Sequence, residues 1–564
     1  MPSPSPSRAL TLLSCLALVS LGCRDKPEPK AKLQNVATAP PEDPVVEAPN
    51  EADYSGPKLV ILIVVDQMRA DYFERFDGQF EHGLARFHEQ GRMYSQARHQ
   101  HAMTETAPGH ATISTGVPPS THGIISNRWY DHAAGEKVNA VDDRGATILG
   151  NTDATGVSPN ALLHDSVGDW MQAANPDSVV VSISLKDRAA ILMGGKQPDA
   201  AIWYDDALGG YTSSTYYGEA APKWVGAYNA LDRAAALYGD KGWTLMFGPE
   251  RYADSRAKTN PAIVTTFNDY ALTKAFPHVI EVEGKLPRNV IRDTPFGDRM
   301  TIELARAAVE NEDMGRDEVP DLLTLSMSGG DYAGHRYGPQ SIEIHDYYLR
   351  LDEAIGYFLT ELDNELGSDA YVAILTADHG VAPMPEYSEF PTAGRFIGKA
   401  EVPPMLAAAA KSAGLSDDQI PEFVYSHGPH LEFAPEIDEA TRAKVRAELA
   451  VNARAHPLID EAYTREELLG SEERNEFVRS WRRSFHPDRS PDVLFQHAKG
   501  VAFYPEGTGH GTPYDYDQHV PLIVLGVGEP EVIDKPVHTV DIAPTIAKLV
   551  EIEAPADLDG EALF

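Results

Sequence analysis

The sequence predicts an α/β protein in which a mainly parallel sheet is sandwiched by helices. Three observations lead there: largely apolar runs of strand length recur along the chain, helical stripes lie between them, and the first run, residues 59–65, is continuously apolar. Strands that are buried on both faces belong to parallel sheets, whose crossover helices cover each side. The runs are residues 59–65 (LVILIVV), 179–185 (VVVSISL), 322–325 (LLTL), 371–375 (YVAIL) and 522–525 (LIVL). Between them, Leu304, Ala305, Ala308 and Val309 form one helical stripe, and Tyr348, Leu351, Ile355, Leu359 and Leu362 form another. In such sheets ligands gather beyond the carboxyl ends of the strands.

Two long stretches break the alternation. One covers about 197–289 and is aromatic and glycine-rich, and the other covers about 385–492 and carries charged helical segments. Both are expected to be insertions over the ligand-binding edge of one domain, residues 57–564.

The N-terminus carries a compartment signal. Arg8 precedes an apolar run at 9–22 (ALTLLSCLALVSLG), too short to span a bilayer and suited to the core of a secretion signal. It ends in Leu21-Gly22-Cys23, similar to a bacterial lipoprotein box, with Ser20 where that pattern usually has Leu or Val. The expectation is export to the periplasm or cell surface, with residues 1–22 removed and a lipid anchor on Cys23. A plain cleaved signal is the alternative. Residues 23–56, rich in Pro, Ala, Glu and Lys, read as a disordered tether. Cys15 and Cys23 are the two cysteines of the chain, so the mature body has no disulfide and no thiolate ligand. No later stretch reads as a membrane span, which leaves the anchor as the expected membrane contact.

Charge narrows the partners. Asp and Glu number 85 against 48 Lys and Arg, a formal charge of -37. Binding a nucleic-acid polymer rests on basic side chains, so that class is excluded. A small anionic substrate needs a locally positive site on such a protein, and metal cations are one way to supply it.

Asp66 follows the first run directly, in VVDQMR; alone it reads equally as a turn or cap residue. Asp331 and His335, in GGDYAGHRYGP, are spaced i and i+4, which puts them on one face of a helical turn. Asp378 and His379 follow YVAILT, and His510 lies in the glycine-rich GTGHGTPYDYD. Each has an ordinary surface reading. Together they are three carboxylates and three imidazoles placed just beyond strands or in nearby glycine-rich loops, a set that suits Zn²⁺ or a similar first-row ion and is large enough for two. Two ions about 4 Å apart clamp the attacking and leaving oxygens of a phosphoryl displacement. In MTETAPGHATISTG, Thr106 stands beside Pro108 and Gly109 at the start of a probable helix, where backbone N–H groups meet an anion. Without metals it reads as a capping threonine.

The segment 104–130 (TETAPGHATISTGVPPSTHGIISNRWY) closely resembles the nucleophile region of the alkaline phosphatase superfamily, in its nucleotide pyrophosphatase/phosphodiesterase branch. The phosphate-irrepressible bacterial alkaline phosphatases are the most similar group. The resemblance spans almost everything after the tether, through VVDQMR, SLKDR, AIWYDD, DYAGHRYGP, TADHG, GHGTPYDYDQHVPL and VDIAPTIAKL in order. It implies that Thr106 is the nucleophile and that Asn127 donates to a phosphoryl oxygen. It implies one Zn²⁺ on Asp331, His335 and His510, and another on Asp66, Asp378, His379 and the Thr106 oxygen; Mn²⁺ or Co²⁺ would also be accepted. The implied reaction is hydrolysis of a small phosphorylated substrate through a phosphothreonine.

Lys186 and Arg188 end the 179–185 run with a spacing of two, which on a strand points both side chains the same way. They match the Lys-x-Arg of the phosphate-irrepressible phosphatases, which implies two cations for the extra charged oxygen of a monoester. A phosphodiesterase on the same scaffold is the alternative, with the aromatic stretch around Trp203 and Tyr204 available to a nucleobase. A non-catalytic surface lipoprotein that binds phosphate compounds is a third reading, which the full ligand set opposes. Thr106, where sulfatases carry a Cys or Ser, argues against that branch.

Overall fold

The computed structural model describes residues 56–132, 134–253, 255, 275–279 and 288–564. The expected signal and anchor, Cys23 and the tether up to residue 55 lie outside the described residues. The centre of the fold is β1 (Leu59–Val65), buried along its whole length. Successive side chains on a strand face opposite ways. Leu59, Ile61, Ile63 and Val65 enter one apolar core, and Val60, Leu62 and Val64 enter a second. Two covered faces are thus the reason for the unbroken apolar run.

The other main strands are β2 (Arg92–Arg98), β3 (Val180–Ser184), β4 (Ala200–Asp205), β5 (Gly210–Thr212), β6 (Asp321–Met327), β7 (Tyr371–Thr376), β8 (Leu522–Leu525) and β9 (Glu531–His538). They form a nine-stranded sheet in the order β9-β2-β8-β7-β1-β6-β3-β4-β5. The strands β7, β1, β6, β3 and β4 are parallel neighbours. In contrast, β8 runs antiparallel to β7 and β2, and β5 runs antiparallel to β4. Val64 sits opposite both Ser326 and Thr376, so β1, β6 and β7 deliver their following residues to one edge.

Helices Pro295–Asn311 and Ile342–Glu365 cover the first core, and both stripes read from the sequence are buried there. Helices Val167–Ala174 and Ile542–Leu549 cover the second. Among the described residues no helix is long and apolar enough to cross a membrane.

The stretch at 197–289 opens with β4 and β5, so the sheet extends two strands further than the alternation predicts. After these strands the helices Lys223–Asn229 and Arg233–Tyr238 pack along Pro295–Asn311, with the Tyr228 hydroxyl donating to the Met300 carbonyl and Arg233 pairing with Glu303. The later stretch builds a core of its own around Phe396, Leu406, Val445 and Leu449, and this unit runs past the expected end at 492 to include Phe495 and the strand Val493–His497. It contains helices Gly398–Ser412 and Glu439–Arg454 and two antiparallel strand pairs outside the main sheet.

Candidate active site

Asp66 is the residue that follows β1, and Gln67 after it adopts a left-handed backbone with φ of 72°. This turn aims the Gln67 N–H at Asp378 Oδ1 (3.2 Å) while Gln67 Nε2 donates to Asp331 Oδ1 at 2.7 Å. Gly334 is needed for this approach, since a Cβ there would stand 1.9 Å from Gln67 Oε1. One residue, through its backbone and its side chain, thereby ties the ends of β1, β6 and β7 together. Asp331 and His335 share a face of helix Gly329–Tyr337, with His335 Nε2 at 3.1 Å from Asp331 Oδ1. His510 arrives from the other direction. Because β8 is antiparallel and begins opposite Thr376, the loop leading into it lies at the edge where β7 ends. His510 Nε2 is 3.6 Å from Asp331 Oδ1 and 3.2 Å from His335 Nε2.

The three imidazoles are held alike. His335 Nδ1 faces the Thr508 carbonyl (2.7 Å), His379 Nδ1 the Gly380 carbonyl (2.8 Å) and His510 Nδ1 the Thr104 carbonyl (2.7 Å). A carbonyl only accepts, so each Nδ1 carries a proton, and in the neutral ring this leaves the Nε2 lone pair free for a cation, the arrangement found in metal-ligating histidines. Asp331, His335 and His510 form one compact donor group, and Asp66, Asp331 and His379 form another. Asp378, expected in the second set, places Oδ2 3.5 Å from His379 Nε2, and Asp331 stands between the two groups.

Electrostatics favour cations here. Burial, Asp331 and Asp378 all push the Asp66 carboxyl well above its usual range, against the pull of Lys186. Burial lowers the His379 imidazole to about 3, which keeps it neutral as a ligand must be. Asp66 Oδ1 and His379 Nε2 make no hydrogen bond although both residues are fully buried. Buried acceptors without partners are costly. Surplus negative charge and converging lone pairs fit a divalent metal cofactor.

Thr106 opens helix Thr106–Thr115 and is buried, with Oγ1 at 3.3 Å from Lys186 Nζ. Gly109 lets the first turn rest against the metal-site backbone, since a Cβ would lie 2.2 Å from the Asp378 carbonyl oxygen. The expected ring of free backbone N–H groups is narrower than the helix start suggests. Ala107 N–H donates to Asn127 Oδ1 (2.8 Å), Gly109 N–H donates to the Glu105 carbonyl (2.9 Å), and Pro108 has none. With its oxygen engaged, Asn127 is left with its Nδ2 hydrogens for a ligand. Thr106, Asn127, Arg188, Asp331, His335 and His510 line a common cavity of about 280 Å³.

Lys186 and Arg188 reach the site by a different route from the expected strand end. The strand β3 stops at Ser184, Lys186 caps helix Asp187–Gly194, and Arg188 lies in its first turn. Lys186 Nζ sits 2.5 Å from Asp66 Oδ2 and 2.6 Å from Asp331 Oδ2. Burial opposes its charge, but Asp331 and Asp66 outweigh burial and keep it protonated. Arg188 lines the cavity. Trp203 and Tyr204, read as available to a nucleobase, are buried in β4, and the Tyr204 hydroxyl donates to the Arg288 carbonyl.

Sequence reading passes over Gln67, Glu105 and Tyr332. Glu105 Oε2 accepts from the Ser126 hydroxyl and the Asn127 N–H, both at 2.7 Å. The Tyr332 ring lies 5.1 Å from Lys186 Nζ and 5.0 Å from the Arg292 guanidinium. Their one signal is adjacency, since each neighbours a residue singled out for chemistry.

Comparison with known proteins agrees with this geometry. The family model of type I phosphodiesterase/nucleotide pyrophosphatase matches residues 60–519. Alkaline phosphatase PafA of Elizabethkingia meningoseptica is 32% identical over 523 residues, covering 90% of this chain and 94% of that protein. Alkaline phosphatase PhoK of Sphingomonas sp is 33% identical over 539 residues, covering 90% of this chain and 91% of that protein. The crystal structure of wild-type PafA matches with a TM-score of 0.81 and 30% identity over 90% of this chain and 98% of that one. The chain therefore belongs to the type I phosphodiesterase/nucleotide pyrophosphatase family.

Proposed function

We infer that this chain is an alkaline phosphatase, a metal-dependent enzyme that hydrolyses phosphate monoesters through a phosphothreonine on Thr106. The observation that carries the reading is a convergence. Thr106 Oγ1 lies 3.3 Å from Lys186 Nζ, in the cavity lined by Asn127, Arg188, His335 and His510. The names of relatives at 32% and 33% identity support it.

Two divalent cations, held by Asp331, His335 and His510 and by Asp66, Asp378 and His379, would supply Lewis acidity at the attacking and leaving oxygens. Zn²⁺ suits the mixed imidazole and carboxylate donors, with Mn²⁺ or Co²⁺ as substitutes. The Lys186 ammonium faces Thr106 Oγ1 and favours its ionised form. Attack by Oγ1 forms a bond to phosphorus, and the bond to the substrate alcohol oxygen breaks with its electron pair leaving on that oxygen. Asn127 Nδ2 and the Arg188 guanidinium donate to the non-bridging oxygens, where charge gathers in the transition state. The proton lost from Thr106 is matched by one taken up by the leaving alcohol oxygen. Water then attacks phosphorus from the vacated side, the bond to Thr106 breaks, one proton of that water ends on Thr106 Oγ1, and inorganic phosphate leaves.

The substrate in this reading is a small phosphorylated molecule met outside the cytoplasm, and the protein is held at a membrane by lipid on Cys23. Mass spectrometry of the native N-terminus checks the anchor; an unmodified start beyond Cys23 removes it. The test of function is kcat/KM for an aryl phosphate against a matched bis-aryl phosphate on metal-loaded protein. Monoester preference is expected, and diester preference would assign the chain to phosphodiester hydrolysis instead.

A further inference from the structure

Glu105, buried directly before the nucleophile, is used on both carboxylate oxygens. Its Oε2 accepts from Ser126 Oγ and Asn127 N–H, and its Oε1 lies 3.1 Å from His427 Nε2. Asn127 in turn accepts from the Ala107 N–H. A continuous chain of polar contacts thus runs from His427 through Glu105 and Asn127 back to the residue after Thr106.

His427 belongs to the part of the chain with a separate core, at the tip of the hairpin Glu422–Tyr425 and Pro429–Glu432. The tip is held rigidly. The Ser426 N–H donates to the Gly428 carbonyl, the Phe495 N–H donates to the His427 carbonyl, and a Cβ on Gly428 would stand 2.0 Å from the Val493 carbonyl oxygen. His427 itself has φ of 54°, a left-handed conformation uncommon for residues with a side chain, although Asn, Asp and His adopt it more readily than the rest. Such backbone persists where surrounding structure imposes it, often to aim a side chain. The same tip grips the Asn127 segment from the other side, because Ser426 Oγ donates to the Arg128 carbonyl at 2.9 Å.

We propose that His427 is a positioning residue for phosphoryl transfer. Paired with Glu105, it fixes Asn127 and the first turn of the Thr106 helix, and it acts through Glu105. The second core thereby sets the geometry of the transition-state donor. This role rests on the reading of Thr106 and Asn127 given above.

His427→Asn is the informative variant, since Asn tolerates the left-handed backbone and is too short to reach Glu105. Expected is a loss of about tenfold in kcat/KM with metal content unchanged, comparable with removal of other supporting contacts around a reacting group. His427→Gln, which restores a donor of similar reach, is expected to recover most of that loss. In an Asn127→Ala background His427→Asn is expected to have little further effect, because the two act on one contact. Equal losses in both backgrounds, or a variant as active as wild type, overturn the proposal. The cycle uses whichever ester wild-type protein hydrolyses. A diester preference would therefore refute the monoesterase reading and still decide the role of His427. If His427→Asn does not fold, Glu105→Gln in the same cycle decides that role by the same criterion.

Discussion

His379 and His510 stack face to face, with ring centroids 3.6 Å apart and planes inclined by 19°. His379 follows β7 and His510 precedes β8, so the contact joins the two donor groups across neighbouring strand ends. Each ring already gives its Nδ1 proton to a carbonyl, and two cationic rings at this spacing would repel each other strongly. The pair is therefore set up to present lone pairs to cations.

Chelation should accordingly abolish turnover and also lower thermal stability, and Zn²⁺ should restore both. A ligand bound only by the folded state contributes about 2.7 kcal/mol at 100-fold excess over its Kd. Calorimetry beside metal analysis checks this. An unchanged melting temperature after demonstrated loss of the ions would show that the six side chains are not held together by metal.

Thr106 and Asp378 should fail differently. Thr106→Ala removes the attacking oxygen while Asp66, Asp331, His335, Asp378, His379 and His510 stay in place. Turnover should fall by at least about 1,000-fold with metal content kept, as for other lost nucleophiles. Asp378→Ala should lose metal and activity together, and Thr106→Ser should retain part of the rate. Near wild-type kcat in Thr106→Ala would rule out a phosphothreonine.

Glu105 gives a prediction in pH. Burial works against its charge, but His427, the Ser126 hydroxyl and the Asn127 N–H outweigh burial and hold the carboxyl below its ordinary value. A group depressed in the folded state contributes stability above its unfolded pKa, and that contribution disappears as pH falls through the folded value. In chelator, wild-type unfolding free energy should fall more steeply below about pH 4.5 than that of Glu105→Gln. Parallel curves for the two proteins would contradict the assignment.

Five of the nine strands were legible because strands such as β1 and β7 are covered on both faces, so nearly every position is apolar and the run stands out. In contrast, β2 and β9 are largely half-buried or exposed and show no such run. The first aromatic stretch was not legible, since β4 begins only a few residues after helix Asp187–Gly194, β5 follows it directly as a hairpin, and neither leaves a break in composition. Asp331 and His335 were legible from helical spacing, which the helix Gly329–Tyr337 realises. Gln67 and Glu105 were not. Their importance comes from partners 264 and 22 residues away, Asp331 and Asn127, and no local pattern encodes such contacts. Lys186 and Arg188 were read in the right place for the wrong reason. A spacing of two aligns side chains on a strand but not on a helix, and the pair converges here because Lys186 caps the helix while Arg188 lies in its first turn.

That correction sharpens the specificity prediction, because the two cations are no longer equivalent. Lys186 sits between Asp66 and Asp331 with its side chain 1% exposed, so Lys186→Ala removes a buried cation from beside two of the expected metal ligands. Its loss should disturb the metal site and slow monoester and diester hydrolysis alike. Arg188 is the discriminating probe. Its side chain is 28% exposed and lines the cavity beside Asn127, where it is expected to meet substrate. A monoester dianion carries a third charged oxygen that a diester replaces with an organic group. A charge-assisted hydrogen bond to that oxygen contributes on the order of 1.5–3 kcal/mol. If formed in the transition state, it is worth about tenfold or more in rate. Arg188→Ala should therefore reduce kcat/KM for an aryl monoester by about tenfold or more while changing a matched diester little. Equal losses on both esters would leave a phosphate-ester hydrolase whose preference for monoesters does not come from Arg188.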